Sequence, residues 1–339
     1  MAGERARRAY ARIQFEGAEI TEEPECSLLS MTFTDAEDGK TDDLQFVLED
    51  RDLIWAGNWL EQATASRGAK VEAQIWMEEN GETSVLPCGV FEVDSVGLSG
   101  TPTRVTIRAT SLPYKSGIRE EKKSKSWEQY SLSGIGAEIA AGGGMELQYM
   151  AAEDPFYETR EQVEQSDTVF LLSLVWDAGL KMKISQNKII IYDRPFYESQ
   201  EAVCTLYRNG SDLISYSFDS DTFSAAYSKC VCRYVNPETG DVIEGTYTPE
   251  DSETDMPELV IDAKAETAAE AEANAKAAYE NALKKKYTCE LTLVGDPMYM
   301  VGMNIQLEGF GAFSGKYAIS SARHSLAGSY VVTVKGYRI

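Results

Sequence analysis

The sequence predicts a mainly β protein with α+β insertions: two antiparallel β-barrel modules and a smaller α+β domain. Three observations predict it. Segments in which apolar and polar residues alternate recur through most of the chain, as half-buried strands require. A stretch between them switches to helical periodicity. And one run of strands is stated twice. The first copy reads Gly68-Ala-Lys-Val-Glu-Ala, Gly89-Val-Phe-Glu-Val-Asp-Ser-Val and Val105-Thr-Ile-Arg-Ala. The second reads Gly302-Met-Asn-Ile-Gln-Leu, Gly315-Lys-Tyr-Ala-Ile-Ser-Ser-Ala and Val332-Thr-Val-Lys-Gly. Order, alternation and closing motif agree, so Gly89 and Phe91 in one copy match Gly315 and Tyr317 in the other.

Residues 1–113 form the first module. Ala11, Ile13 and Phe15 alternate before a turn at Gly17, and Leu28 to Phe33 and Leu44 to Leu48 alternate again. Trp55 and Trp59 interrupt the pattern, and Trp76-Met-Glu-Glu-Asn-Gly-Glu makes a hairpin on its Asn-Gly turn. Residues 114–200 form the α+β domain. There Ser131 caps a helix that buries Leu132, Ile135 and Ile139 and stops at Gly142-Gly143-Gly144. A second helix, from Ser166-Asp167 to Gly179, buries Phe170, Leu171, Leu174 and Val175, and a hairpin around Gln186-Asn-Lys188 follows.

Residues 201–262 read as a β-rich connecting segment with a turn at Glu238-Thr-Gly-Asp241. Residues 263–339 open with an alanine-rich helix, capped by Thr267 with Glu270 and ending on Lys284, Lys285 and Lys286. Its thin stripe of small residues predicts close packing on the second module, the β-meander that follows it.

The formal net charge of −23 argues against general binding to nucleic acid or anionic membrane, since phosphates are held by Lys and Arg. No run approaches a membrane span, and Arg5, Arg7, Arg8 and Arg12 are not followed by the apolar stretch of a signal peptide. The six cysteines, at 26, 88, 204, 230, 232 and 289, are too scattered for a disulfide scaffold and suit a reducing cytoplasm.

Candidate chemistry is sparse. His324 is the single histidine and no nucleophile or orienting acid is marked beside it, so it reads as structural. Cys230 and Cys232 share one strand face but lack two further zinc ligands, so they read as buried free thiols. The glycine triplet follows a helix instead of preceding one, which excludes a phosphate loop. No catalytic, cofactor-binding or metal residues are assigned. Lys122, Lys123, Lys125 and Trp127 form a basic run ending in an aromatic, either a solvated loop or a contact for an acidic partner. Trp55 and Trp59 are further candidate partner contacts. A pair of catalytic carboxylates, as in a glycan hydrolase, cannot be selected among 55 acidic residues.

Read in order, these residues resemble the phage late control D family, the central baseplate hub of contractile tails. The resemblance runs through Thr34-Asp35, Asp42-Asp43-Leu44, Leu48-Glu-Asp-Arg51, Ser111-Leu-Pro113, Ile118-Arg119 and Lys125-Ser-Trp127. Its most specific part is Gly295-Asp-Pro-Met, Gly302, Leu307-Glu-Gly-Phe-Gly311, Gly315-Lys-Tyr-Ala-Ile, His324 and the run from Tyr330 to Arg338. It implies two tube-like β-barrel modules per chain and a homotrimer whose six modules join a sixfold tail tube to a threefold spike. It also implies a non-enzymatic role without cofactors. The partners would be a tail tube or tube-initiator protein, other baseplate proteins and a tape measure protein in the lumen. Related type VI secretion spikes fuse the hub to a needle; this sequence stops at Ile339, so a separate spike protein is expected. Assembly would take place in the bacterial cytoplasm, as part of a phage virion or an R-type bacteriocin. The rival ring architecture, a DNA-encircling sliding clamp, would need basic helices lining its pore, and the long helix here has a middle of alanine and glutamate.

Overall fold

A computed structural model describes residues 7–21, 27–37, 41–59, 68–111, 121–185, 187–221, 227–235, 240–249, 256–265, 267–284 and 286–339. Cys26, Leu112-Pro113, Ile118-Arg119, Gln186 and Glu238 lie outside these ranges. The first module comprises β1 (Arg8–Phe15), β2 (Ala18–Glu19), β3 (Ser27–Ala36), β4 (Asp43–Glu49), β5 (Lys70–Glu79), β6 (Glu82–Ser99) and β7 (Arg104–Thr110). They pair in the order β3-β4-β7-β6-β5-β1-β2, every neighbour antiparallel. Strict alternation buries Ile13, Phe33, Phe46, Phe91 and Ile107 in one core. At the β5–β6 hairpin Asn80 and Gly81 both have positive φ, the backbone that a two-residue Asn-Gly turn supplies.

The α+β domain is built from β8 (Lys122–Ser131), α1 (Leu132–Gly142), β9 (Glu146–Met150), β10 (Phe156–Ser166), α2 (Asp167–Asp177), β11 (Lys181–Ser185), β12 (Lys188–Tyr192) and α3 (Arg194–Ser199). Ser131 Oγ accepts from the Gly134 N–H at 3.1 Å and starts α1. The helices α1 and α2 bury Leu132, Ile135, Phe170 and Leu174 against β9 and the β11–β12 hairpin.

The second module differs from its predicted limits. Its sheet contains β13 (Ala202–Tyr207) and β14 (Leu213–Asp219), which the sequence reading placed in a connecting segment. Then β15 (Lys229–Val235), β16 (Val242–Tyr247), β17 (Glu258–Ile261) and α4 (Ala268–Leu283) form a separate small unit inserted in the module. The module resumes with β18 (Thr288–Val294), β19 (Asn304–Glu308), β20 (Gly315–Leu326) and β21 (Tyr330–Arg338).

So α4 packs on the β15–β17 sheet and not on the closing meander. The reason is the surface each sheet offers. Cys230 and Cys232 present small side chains beneath Ala271 and Ala275. On β16 a Cβ at Gly245 would sit 2.1 Å from the Glu272 nitrogen, so glycine is what lets the helix backbone approach. Thr267 Oγ1 accepts from the Glu270 N–H at 3.1 Å, while the Glu270 carboxylate accepts from Arg160 of β10 at 2.7 Å.

Candidate assembly surface

Strand pairing makes the duplication deeper than the three strands legible in the sequence. The second module runs β14-β18-β21-β20-β19-β13, position for position the order β3-β4-β7-β6-β5-β1 of the first. Register agrees too: Phe91 lies opposite Val71 as Tyr317 lies opposite Ile305. Gly68 and Gly302 have φ of 87° and 84°, and Gly89 and Gly315 of 112° and 144°, so each pair takes a left-handed backbone that favours glycine. Both ladders shift register at one residue, Asp94 against β7 and Ser320 against β21. A second shared irregularity falls at Leu29 in β3 and Ile214 in β14. Phe91 and Tyr317 are buried at the centres of their cores. The modules part company at the sixth strand, for β1 is antiparallel to β5 whereas β13 is parallel to β19.

The two modules are joined by strand pairing inside the chain. The outer half of β20 pairs antiparallel with β3, Ser321 opposite Ala36 through Leu326 opposite Met31. This seam is dry. His324 is fully buried there and its Nε2 lies 2.9 Å from the Tyr299 carbonyl. A carbonyl can only accept, so Nε2 carries the proton and Nδ1 accepts from the Tyr330 hydroxyl at 2.7 Å. Burial pushes the His324 pKa down to about 4, which keeps the ring neutral.

A polar knot fastens the α+β domain to the same seam. Buried Asp35 on β3 takes the Lys183 ammonium of β11 on one oxygen and the Val301 N–H, at 2.9 Å, on the other. Lys183 also lies 3.7 Å from Asp42, whose carboxyl is pushed up to about 7 by burial, with Lys183 pulling it partly back.

By the same mapping the chain carries two strand edges that lack the partner their counterparts have. The other edge of β14, the counterpart of β3, has no strand beside it among the described residues. The outer half of β6, the counterpart of the seam half of β20, pairs among the described residues only with β7 beyond Glu92. Apolar side chains stand exposed at both: Leu98 is 57 % exposed where its counterpart His324 is 0 %, and Tyr216 is 44 % exposed where Met31 is 0 %.

The candidate contact residues fall elsewhere. Trp127 is not a surface contact: its ring is 2 % exposed, stacks on Phe170 and donates Nε1–H to Gln162 at 3.3 Å. Trp55 is likewise in the first core, with its N–H and that of Ala56 bound to the Asp50 carboxylate. The backbone of Trp59 ends the turn that Trp55 begins. Lys123 is paired with Asp167 at 2.7 Å, Lys125 is paired with Glu138 and covers the Trp127 ring, and Lys122 is exposed. The sequence predicts that one module's edge strand meets the next module around a ring but does not say which strands these are, although a signal exists. Leu28-Leu-Ser-Met-Thr-Phe-Thr34 and Leu213-Ile-Ser-Tyr-Ser-Phe-Asp219 align without a gap.

No protein-family model matches this sequence, and no curated protein does. Solved structures do. A tail protein of Neisseria meningitidis superposes with a TM-score of 0.72 at 11 % identity, over 97 % of this chain and 96 % of that one. The 43 kDa tail protein of prophage MuSo2 from Shewanella oneidensis gives 0.66 at 12 % identity, over 97 % and 96 %. An E. coli component of the type VI secretion system gives 0.60 at 12 % identity, over 96 % of this chain and 76 % of its own. At these identities the likeness shows the fold: this chain has the fold of these phage tail proteins and of this type VI secretion component.

Proposed function

We propose that this chain is the structural hub of a contractile injection machine, a homotrimer that adapts a sixfold tail tube to a threefold central spike and performs no catalysis. The carrying observation is the duplication itself, six strands against six in the same order with the same irregularities. Three such chains present six near-equivalent modules, which a sixfold tube can meet, while the ring keeps the true symmetry of a threefold spike. The fold shared with tail proteins and with a type VI secretion component supports this reading.

The passage through the ring would be lined by the sheet face opposite the cores. On that face Asp43, Glu49, Glu92, Asp94, Asp219 and Glu290 stand among Arg104, Arg108, Arg323 and Lys335, spaced by threonine and serine. A hydrophilic wall whose carboxylates outnumber its cations repels phosphates, so a tape measure protein or DNA can slide past without sticking. Tube or tube-initiator, separate spike and other baseplate proteins are the partners this role requires, with assembly in the cytoplasm before the particle leaves the cell. Cryo-electron microscopy of the protein at high concentration, alone and with tube and spike proteins, tests the reading. Three chains with six modules on one circle is the expected result. Twofold or sixfold packing of whole chains would overturn it.

A further inference from the structure

We propose that the outer half of β6 in one copy pairs antiparallel with β14 of the next, in the register of the seam already formed between β20 and β3. The inference rests on the ring reading and adds to it which edges meet and residue by residue how. The mapping fixes the register. Arg323, His324, Ser325 and Leu326 lie opposite Thr34, Phe33, Thr32 and Met31. The shared irregularities at Asp94 and Ser320 make Gly97, Leu98, Ser99 and Gly100 the counterparts of the first four. Those at Leu29 and Ile214 make Asp219, Phe218, Ser217 and Tyr216 the counterparts of the second four. Leu98 therefore meets the partner's Phe218, and Ser99 meets the partner's Ser217.

A second copy is the occupant that fits, because the chain already shows how one edge receives the other. Three features agree. Both edges carry unused backbone donors and acceptors among the described residues, a pattern that soluble proteins otherwise blunt with charge or proline. Both expose apolar side chains at the positions that the seam buries. Facing residues are neutral or apolar at three of the four pairs, so pairing strands no uncompensated charge in the middle of the interface.

Cysteine cross-linking reads the register directly. Ser99 and Ser217 are exposed, and directly opposite residues in antiparallel strands have Cα atoms about 4.5–5.5 Å apart, within the Cα separation that a disulfide spans. The double variant Ser99→Cys with Ser217→Cys should give, on mild oxidation of the assembled protein, covalent dimers and trimers on a non-reducing gel. Ser99→Cys with Ser215→Cys, displaced by two residues on the same face, should stay monomeric. Wild type is the blank: Cys88, Cys230, Cys232 and Cys289 are buried but Cys204 is only half-buried, so any band that wild type gives on oxidation is subtracted. Leu98→Lys gives an independent reading: it should weaken association by about tenfold or more and leave the melting temperature of the dilute chain unchanged. Cross-links in the displaced pair, or a threefold ring without cross-links in the matched pair, would overturn this register and leave the hub reading standing. Absence of any ring at high concentration with tube and spike proteins present would overturn both.

Discussion

Met31, Phe33 and His324 at the internal seam occupy the same backbone positions as Tyr216, Phe218 and Leu98 at the free edges. The seam is permanent, and its side chains are chosen accordingly: a neutral histidine held on both nitrogens, and a carboxylate–lysine knot anchoring a third domain. At the free edge the counterpart of Asp35 is Ser220 and that of His324 is Leu98. An edge that must wait in water for its partner cannot hold, on the side that pairing buries, charges whose partners arrive later, because an unpaired charge costs far more on burial than a hydroxyl or a leucine. Equivalent strands thus diverge according to when they are buried.

The largest effect should come from the knot. Lys183→Met leaves Asp35 and Asp42 buried without their cation, and the loss of stability should be about 3–5 kcal/mol by denaturant titration. Leu98→Lys, an equally drastic change at the free edge, should cost the isolated chain nothing measurable. A small loss for Lys183→Met would mean that the seam and the edges are not fastened differently.

Next comes the dependence on pH. A histidine whose folded pKa is about 4, below the ordinary 6.5, binds its proton more readily when unfolded. Its neutral state therefore favours folding above about pH 6.5, and this contribution falls away towards pH 4, by roughly 3 kcal/mol in all. Asp42 works in the opposite sense. Its raised pKa adds stability that is complete below 3.8 and lost as the pH climbs through about 7. The two overlap, so the measurement is the difference between wild type and His324→Leu, which copies the free-edge residue. The wild-type advantage should shrink as the pH is lowered from 6.5 to 4. A difference independent of pH would show that His324 does not titrate as its burial implies.

The first module and the closing meander were readable because their strands alternate cleanly, and because Gly68, Gly89, Gly302 and Gly315 mark backbone that few other residues adopt. The remaining half of the repeat was not. The unit from β15 to α4 separates β14 from β18 in the chain, so neighbours in the sheet lie far apart in sequence. Alternation shows that Trp127 shares a face with Lys123 and Lys125 but not which face is buried, and a buried ring under a lysine reads the same as an exposed one. The alanine helix announced its own close packing but not its partner, because Gly245 and the cysteine pair that receive it carry no pattern of their own.

A smaller effect should separate the modules at the start of their β-turns. Gly295 in the second is the counterpart of Asp50 in the first, and each donates its N–H to the matching residue, Tyr330 or Thr103. Only the second module must aim a tyrosine at the seam histidine. A Cβ at Gly295 would lie 2.2 Å from the Tyr330 ring, so Gly295→Ala should cost about 1–3 kcal/mol and disturb the His324 contact, read as a shifted imidazole resonance.

The smallest effect tests whether the two polar faces are interchangeable. Lys335 pairs with Glu290 at 3.1 Å in the second module, and at the matching positions of the first Arg108 donates to Gln45 at 3.1 Å. Both second-module side chains are more than half exposed, so solvent screens their attraction. Glu290→Gln gives the second module the first module's acceptor. It removes a Coulombic attraction that is weak in water and keeps a hydrogen-bond acceptor in place, so stability should change by no more than about 0.5 kcal/mol. Ring assembly should be unaffected, because the exchanged position lies on β18, one strand removed from the free edge of β14. A larger loss, or a ring that fails to close, would mean that the face carries charge information specific to one module, and that the six positions around the passage are not near-equivalent.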